Sequence, residues 1–301
     1  MARVKKRIIL GVGLFFLLLF FGFLPLFLTK GEITAGSSSS KIGLVKINGV
    51  IVSSQPYVRE IRKFAKDDDI RAILLRINSP GGAVAPSQEI YREILRAKKK
   101  KMIVVSMGNV AASGAYYISS AASYIFANAG TLTGSIGVIM EYMNVGELMS
   151  WMKIKPVVIK SGRFKDTGSP YRAPTPEEKK YLHTIIMDVY DQFINDVYNA
   201  RKSAGLKKSL LRKIADGRVF SGRMALKYHL IDAIGDLYDA VDYIKKKLHL
   251  KGEPKLVRFR RKENIFSMLV DSLAHFSGFS GEAGLGENML FTGYNIFYLW
   301  R

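Results

Sequence analysis

Cysteine is absent from the chain. That excludes disulfide staples, a thiolate nucleophile and thiolate-bound metal, and leaves the redox character of the compartment unread. Histidine is scarce: His183, His229, His249 and His275 are the only four. All follow the strand-rich part of the sequence, and they read as surface or packing residues. Acidic side chains are also few, 25 Asp and Glu against 46 Lys and Arg, which leaves a net charge of +21. An excess of that size ordinarily faces nucleic acid or an anionic membrane. No zinc-finger spacing and no aromatic–basic nucleoprotein motif accompanies it, so nucleic acid is set aside and a membrane is the expected partner. No internal repeat is visible, and neither metal nor cofactor is expected.

What the chain does have is one long uncharged run, Ile8 to Leu28, dominated by Leu and Phe. As a helix, its 21 residues would span about 31 Å at ~1.5 Å each, matching a hydrocarbon core of ~30 Å. Arg3, Lys5, Lys6 and Arg7 precede it, so the positive-inside rule keeps the N-terminus cytoplasmic and puts the rest of the chain outside the cell membrane. A cleaved signal peptide is the competing reading. Against it, the run exceeds the usual ~7–15 residues, and only Thr34, Ala35 and Gly36 offer a weak cleavage pattern. The organisation expected is a basic flank and single-pass anchor over 1–30, a flexible tether over 31–40, a main domain over 41–262 and an apolar tail over 263–301.

The main domain alternates strand and helix signals. Ile42–Ile47 and Val50–Val52 read as strands around an Asn48–Gly49 turn, and Tyr57–Lys66 has the spacing of an amphipathic helix. Ala72–Ile77 is a continuous apolar run, as expected of a strand buried on both faces of a parallel sheet. Pro86 opens the next predicted helix, which the lysines from 98 to 101 close favourably for its dipole. Strands are predicted at Met102–Ser106, Tyr124–Ala127, Ile136–Met140 and Pro156–Ile159, with a small-residue helix after Ser113. Thr175 and Glu178 fit a capping box opening a long helix. Shorter helices are predicted over Leu206–Ala215 and Ser221–Ile231. Repeated β-α-β order argues an α/β domain.

Three loops leave predicted strands and can converge on one edge. Asn78-Ser-Pro-Gly-Gly82 ends the Ala72 strand at the side where open α/β sheets bind ligands. A Gly81 or Gly82 N–H together with that of Gly114 is a candidate oxyanion hole; alone, Pro-Gly-Gly is an ordinary turn. Ser113 stands at a strand-to-helix turn crowded only by Ala111, Ala112 and Gly114. Its hydroxyl is a candidate nucleophile, while the same small residues equally describe tight packing of helix on sheet. With no histidine placed to serve it, the available base is a lysine, which works only if burial lowers an amine from ~10.4 towards neutrality. Lys165, between Lys160 and Pro170, is the candidate, although composition alone would leave it in solvent. Ser135 is a hydroxyl that can orient an amine, or a turn residue.

In order along the chain, Asn78–Gly82, the Ala-Ala-Ser-Gly run at 111–114, Thr133–Val138, Lys160–Pro170 and Gly217–Gly222 with Ala225 and Asp232 resemble the motifs of the signal peptide peptidase A family, in its short single-domain form. The resemblance covers about residues 41–240, with a matching N-terminal anchor. It implies a ClpP/crotonase-like fold of repeated β-β-α units, and a serine endopeptidase whose Ser/Lys dyad degrades cleaved signal peptides through an acyl-enzyme. Carried over by position, Ser113 is the nucleophile, Lys165 the general base and Ser135 the lysine's hydrogen-bonding partner. Gly114 and the Gly81/Gly82 turn would stabilise the oxyanion. Ala115 departs from the pattern, standing where many members have a second glycine, and is expected to be helical. The family's closed rings imply a homo-oligomer with a shared chamber. Two other functions fit parts of the sequence: a non-catalytic anchored scaffold, and a crotonase-like acyl-CoA enzyme that would share the Pro-Gly-Gly turn without needing Lys165. Lys245 to Lys262 carries nine Lys and Arg against Glu253, a solvated face or a contact for anionic lipid. The apolar tail is expected to lie on the core, another subunit or the membrane.

Overall fold

The computed structural model describes residues 40–259 and the backbone of 296–299. The expected anchor, the tether and most of the tail lie outside the described residues. Among the described residues, no helix is long and apolar enough to cross a membrane. In chain order the elements are β1 (Lys41–Asn48), α1 (Gln55–Lys66), β2 (Ile70–Ser79), β3 (Gly81–Ala83), α2 (Val84–Lys98), β4 (Met102–Ala112), α3 (Gly114–Ser120), β5 (Tyr124–Ala127), β6 (Leu132–Gly134), β7 (Ile139–Met140), α4 (Gly146–Trp151), α5 (Pro176–Arg201), α6 (Lys208–Ile214), β8 (Val219–Ser221), α7 (Gly222–Lys227), β9 (Ala233–Ile234), α8 (Leu237–Lys247), β10 (Lys255–Arg258) and β11 (Ile296–Leu299).

The main sheet runs β10-β1-β2-β4-β5-β9 with every neighbouring pair parallel. A parallel sheet needs cover on both faces, and alternate side chains supply it. Ile73, Leu75 and Ile77 of β2 join Ile61 of α1, Ile90 of α2 and Phe193 of α5 in the larger core. Ala72 and Leu74 point the other way, with Val104, onto Ala240, Val241 and Ile244 of α8. Burying each large aliphatic side chain contributes ~1.5–3 kcal/mol, so both layers are held by the same strands.

β4 outlasts its neighbour. Val104–Ser106 pairs with β5; beyond Met107 the register with β2 slips, and Val110–Ala112 pairs with β6, which lies antiparallel to β8. A separate antiparallel sheet, β3-β11-β7, sets residues 296–299 between Gly81–Ala83 and Ile139–Met140.

Four predicted elements come out differently. Val50–Val52 is not a strand: only Ile51 bridges to Gly82, its N–H donating to Gly81 O while Ala83 N–H donates to Ile51 O, both at 2.8 Å. Pro156–Ile159 forms no strand, and Val157 and Ile159 are 86% and 97% exposed. β-branched composition suits a strand only where a neighbour offers a ladder, and the described residues offer none there. The Ile136–Met140 strand shrinks to its last two residues. The Ser221–Ile231 helix stops at Lys227, and His229 beyond it takes φ 58°. The capping box of Thr175 and Glu178 forms as expected.

Candidate active site

Ser113 joins β4 to α3 with φ 54° and ψ −118°. A non-glycine residue held there costs of order 1–3 kcal/mol, so surrounding contacts must impose it. They are plain to see. Ser113 N–H donates to Gly134 O at 2.8 Å, and Ser113 O accepts from Tyr117 N–H at 2.8 Å. Upstream, Asn78 Oδ1 accepts from Val110 N–H at 3.2 Å, Thr131 Oγ1 donates to Gly108 O at 2.7 Å and Thr133 Oγ1 to Ala111 O at 2.6 Å. These bonds fix the redirected end of β4, and with it the serine.

The helix that follows is buried along its whole length, Ala115 included, and that alanine is helical as expected. Tyr116 OH donates to Leu230 O at 3.0 Å, and Tyr117 OH donates to the Asp196 carboxylate. Burial raises the Tyr116 phenol's pKa, keeping it a donor. At the far end, Lys98 Nζ donates to Ala121 O and Ala122 O at 3.2 and 2.9 Å, and its burial lowers the amine's pKa. Ser113 itself is 1% exposed.

Ser135 follows Gly134, whose carbonyl receives the Ser113 amide, so these two serines stand just past the ends of the paired strands β4 and β6. It is buried at φ 49°, and its N–H donates to Arg218 O at 2.9 Å. It lines a cleft of about 600 Å³ whose walls include Val138, Ile139, Ile186, Met187 and Tyr190. Gly81 takes φ 104°, and its N–H donates to Ser79 Oγ at 3.1 Å. Gly82 then lies so close to Ile51 that a Cβ would fall 2.1 Å from Ile51 O. Since Gly81 O and Ala83 N–H bond to Ile51, the alternation of a strand turns the Gly82 N–H to the opposite edge, towards β11. Of the two glycine amides proposed from sequence, Gly82's faces the groove.

Ser113, Gly114, Ser135 and the Gly81/Gly82 strand are therefore gathered at one edge. Lys165 is not. It lies in a turn between α4 and α5, exposed, with its N–H donating to Gly162 O at 3.1 Å. Among the described residues its ammonium has no hydrogen bond or ion pair, and the expectation of a lysine buried in a dry groove fails within a single chain. The physical reason is the arm it belongs to: Met143, Trp151, Val157 and Ile159 on the same excursion are all more than 70% exposed. No histidine substitutes for it, since His183, His229 and His249 are exposed and His275 lies outside the described residues.

Near Lys165, Arg172 carried no distinctive sequence signal. Arg172 bonds both Asp166 and Glu178, and Lys160 bonds Asp166 from the other side. Arg172, then Lys160, hold the Asp166 carboxyl well below its usual range, and Arg172 with the Thr175 amide holds Glu178 down to about 2. Among the described residues no group of acidic or histidine side chains is placed to bind a metal ion.

The chain matches the sequence profile of peptidase family S49 over residues 95–251 and that of Clp protease over residues 52–133. The two overlap on β4, Ser113 and α3. A protein of Enterococcus faecium named as a signal peptide peptidase is 33% identical over 267 residues, covering 83% of this chain and 76% of that protein. A protein of Methanocaldococcus jannaschii named as a protease is 36% identical over 233 residues, 77% of this chain and 72% of its own. Another so named, from Synechocystis, is 40% identical over 205 residues, 68% and 73% of the two chains.

Proposed function

Because the chain belongs to peptidase family S49 and is a serine peptidase with a ClpP-like α/β fold, we propose that it cleaves extended apolar peptides, cleaved signal peptides foremost, with Ser113 and Lys165. The observation that carries this reading is the slot between β3 and β7. It is one strand wide, and the chain's own residues 296–299 lie in it as an antiparallel strand. A groove that accepts backbone in that way recognises a peptide by main-chain hydrogen bonds and alternate side-chain positions. The apolar cleft beside Ser135 suits a large aliphatic or aromatic side chain.

In the proposed reaction, neutral Lys165 takes the Ser113 proton as Oγ bonds to the scissile carbonyl carbon. The resulting oxyanion accepts hydrogen bonds from the Gly82 and Gly114 amides; one such donor is worth ~2.7–4 kcal/mol in the transition state. Collapse breaks the C–N bond, and the departing amine takes the proton from Lys165, leaving an ester on Ser113. Water then attacks that ester with Lys165 again as base, releasing the acid and restoring Ser113. Ser135 orients the amine.

The lysine must lose its solvent for this to work. A second copy packed over the apolar arm would desolvate it and bring it to a nucleophile, which favours the ring. Anchoring through 8–28, with the domain outside the cytoplasm, would place the site where released signal peptides lie. A scaffold has no use for a strained serine at φ 54°. In the full chain, Ser113→Ala and Lys165→Ala should each abolish turnover of a fluorogenic apolar peptide, and a fluorophosphonate should label Ser113. Activity near wild type in either variant refutes the dyad; absence of any adduct favours the scaffold.

A further inference from the structure

We propose that Arg172 is the positioning residue of the catalytic lysine: it ties Asp166, the residue after Lys165, to the start of α5 and offsets the negative charge beside that lysine. The proposal rests on the reading of Lys165 as the base. Between α4 and α5 the chain has no helix or strand. Turn bonds such as Lys165 N–H to Gly162 O shape the segment locally, and side chains tie it to α5. Arg172 Nε donates to Asp166 Oδ2 at 2.9 Å and Nη2 to Asp166 O at 3.3 Å. Its Nη1 donates to Glu178 Oε2 at 2.8 Å and Nη2 to Glu178 Oε1 at 2.5 Å.

Glu178 is the fixed point. It accepts the Thr175 N–H at 2.7 Å and returns its own N–H to Thr175 Oγ1 at 3.1 Å, the capping box of a 26-residue helix. Buried Thr167 donates to Glu178 Oε1 at 3.2 Å. Asp166 and Thr167 thus converge on one carboxylate, Asp166 by way of Arg172. Exposed ion pairs usually contribute little, but this one is bidentate, and its carboxylate side chains are only 4% and 13% exposed. Lysine in place of arginine offers one point charge and cannot bridge both acids.

Charge gives the clamp a second effect. The groups around the turn are Lys160, Arg163, Asp166 and Arg172 from the arm, and Glu177 and Glu178 from α5. Arg163 pairs with Glu177, and Lys160 and Arg172 share Asp166. Among the described residues every anion of this group is matched by a cation, and loss of Arg172 would leave an unmatched carboxylate beside Lys165.

The test is steady-state kinetics against pH on the full chain, with a fluorogenic apolar peptide and Arg172→Gln, Arg172→Lys and Asp166→Asn. Misplacing a base by ~1 Å costs on the order of 100-fold. Arg172→Gln should therefore lower kcat by about 10- to 100-fold with KM within about twofold, and move the acid limb of kcat/KM to higher pH. Arg172→Lys should return the acid limb to its wild-type position without restoring kcat. Asp166→Asn should move the limb the opposite way from Arg172→Gln. If Arg172→Gln does not fold, the other two still decide: wild-type kcat in Arg172→Lys, or an unmoved limb in Asp166→Asn, overturns the proposal. Loss of melting temperature with kcat and acid limb unchanged also overturns it, leaving a merely structural network. Lys165→Ala separates the failures. If that variant stays active, the dyad itself is wrong; if it is inactive while Arg172→Gln is fully active, only the clamp is wrong.

Discussion

Gly82→Ala tests whether β3 holds an oxyanion donor. A Cβ there would lie 2.1 Å from Ile51 O, 2.5 Å from Ile51 N and 2.6 Å from Ile51 C, all backbone atoms that no rotamer can move. Ordinary contact begins near 3.4 Å, so β3 must retreat by roughly 1.3 Å. That breaks or stretches the two 2.8 Å bonds joining Ile51 to Gly81 and Ala83. At ~0.5–1.5 kcal/mol each the variant loses about 1–3 kcal/mol of stability, a fall in Tm of roughly 2–12 °C for a domain of this size. The same retreat displaces the Gly82 amide from the oxyanion by more than an ångström, and kcat should fall by ~100-fold. Gly130→Ala is the control, because its Cβ meets nothing within 4 Å; it should match wild type in both respects. Thermal melts and kcat on the fluorogenic peptide give the answer. A Gly82→Ala enzyme with wild-type Tm and kcat within about threefold would refute both the close approach and the placement of the donor.

Two further outcomes follow from the described geometry. Glu178 is held from an ordinary 4.5 down to about 2, chiefly by Arg172, so its contribution to stability is complete above pH ~4.5 and is lost as pH falls towards ~2. Glu178→Gln should flatten the Tm–pH curve in that window, and a slope as steep as wild type's would contradict the assignment. Removing residues 296–301 vacates the slot between β3 and β7, so short apolar peptides should bind with a KM several-fold lower; an unchanged KM would show that peptides bind elsewhere.

The sheet was legible because its strands are buried on both faces: Ala72–Ile77 and Met102–Ser106 are apolar except for Arg76 and Ser106, which bond each other across the two strands. Pro156–Ile159 has the same composition and is an exposed arm, since composition records the wish for a ladder and not the presence of one. The edge that gathers Ser113, Ser135 and Gly82 was readable from small residues and turns. Its strain at Ser113 was not, because that φ depends on the bond from the Ser113 amide to Gly134 O, which is remote in sequence. The exposure of Lys165 matches what composition alone suggested and not the buried base that the motif implied. Glu178 was readable through its capping box with Thr175, and Asp166 through the Lys160–Pro170 motif; the Arg172 bridge between them was not, because it joins them through a segment with no helix or strand.

Helix α5 links these regions. Its 26 residues make a rod of about 39 Å at ~1.5 Å per residue. At its start Glu178 holds the arm; further on, Ile186, Met187 and Tyr190 wall the cleft. Asp196 receives Tyr117 of the helix behind the serine, and Arg201 at the end pairs with Asp232. Arm, cleft and Ser113 are thus gauged along one screw axis. Their spacing is a property of helical pitch, not of loop conformation, and whatever pushes on the arm pushes on the same rod that seats the serine.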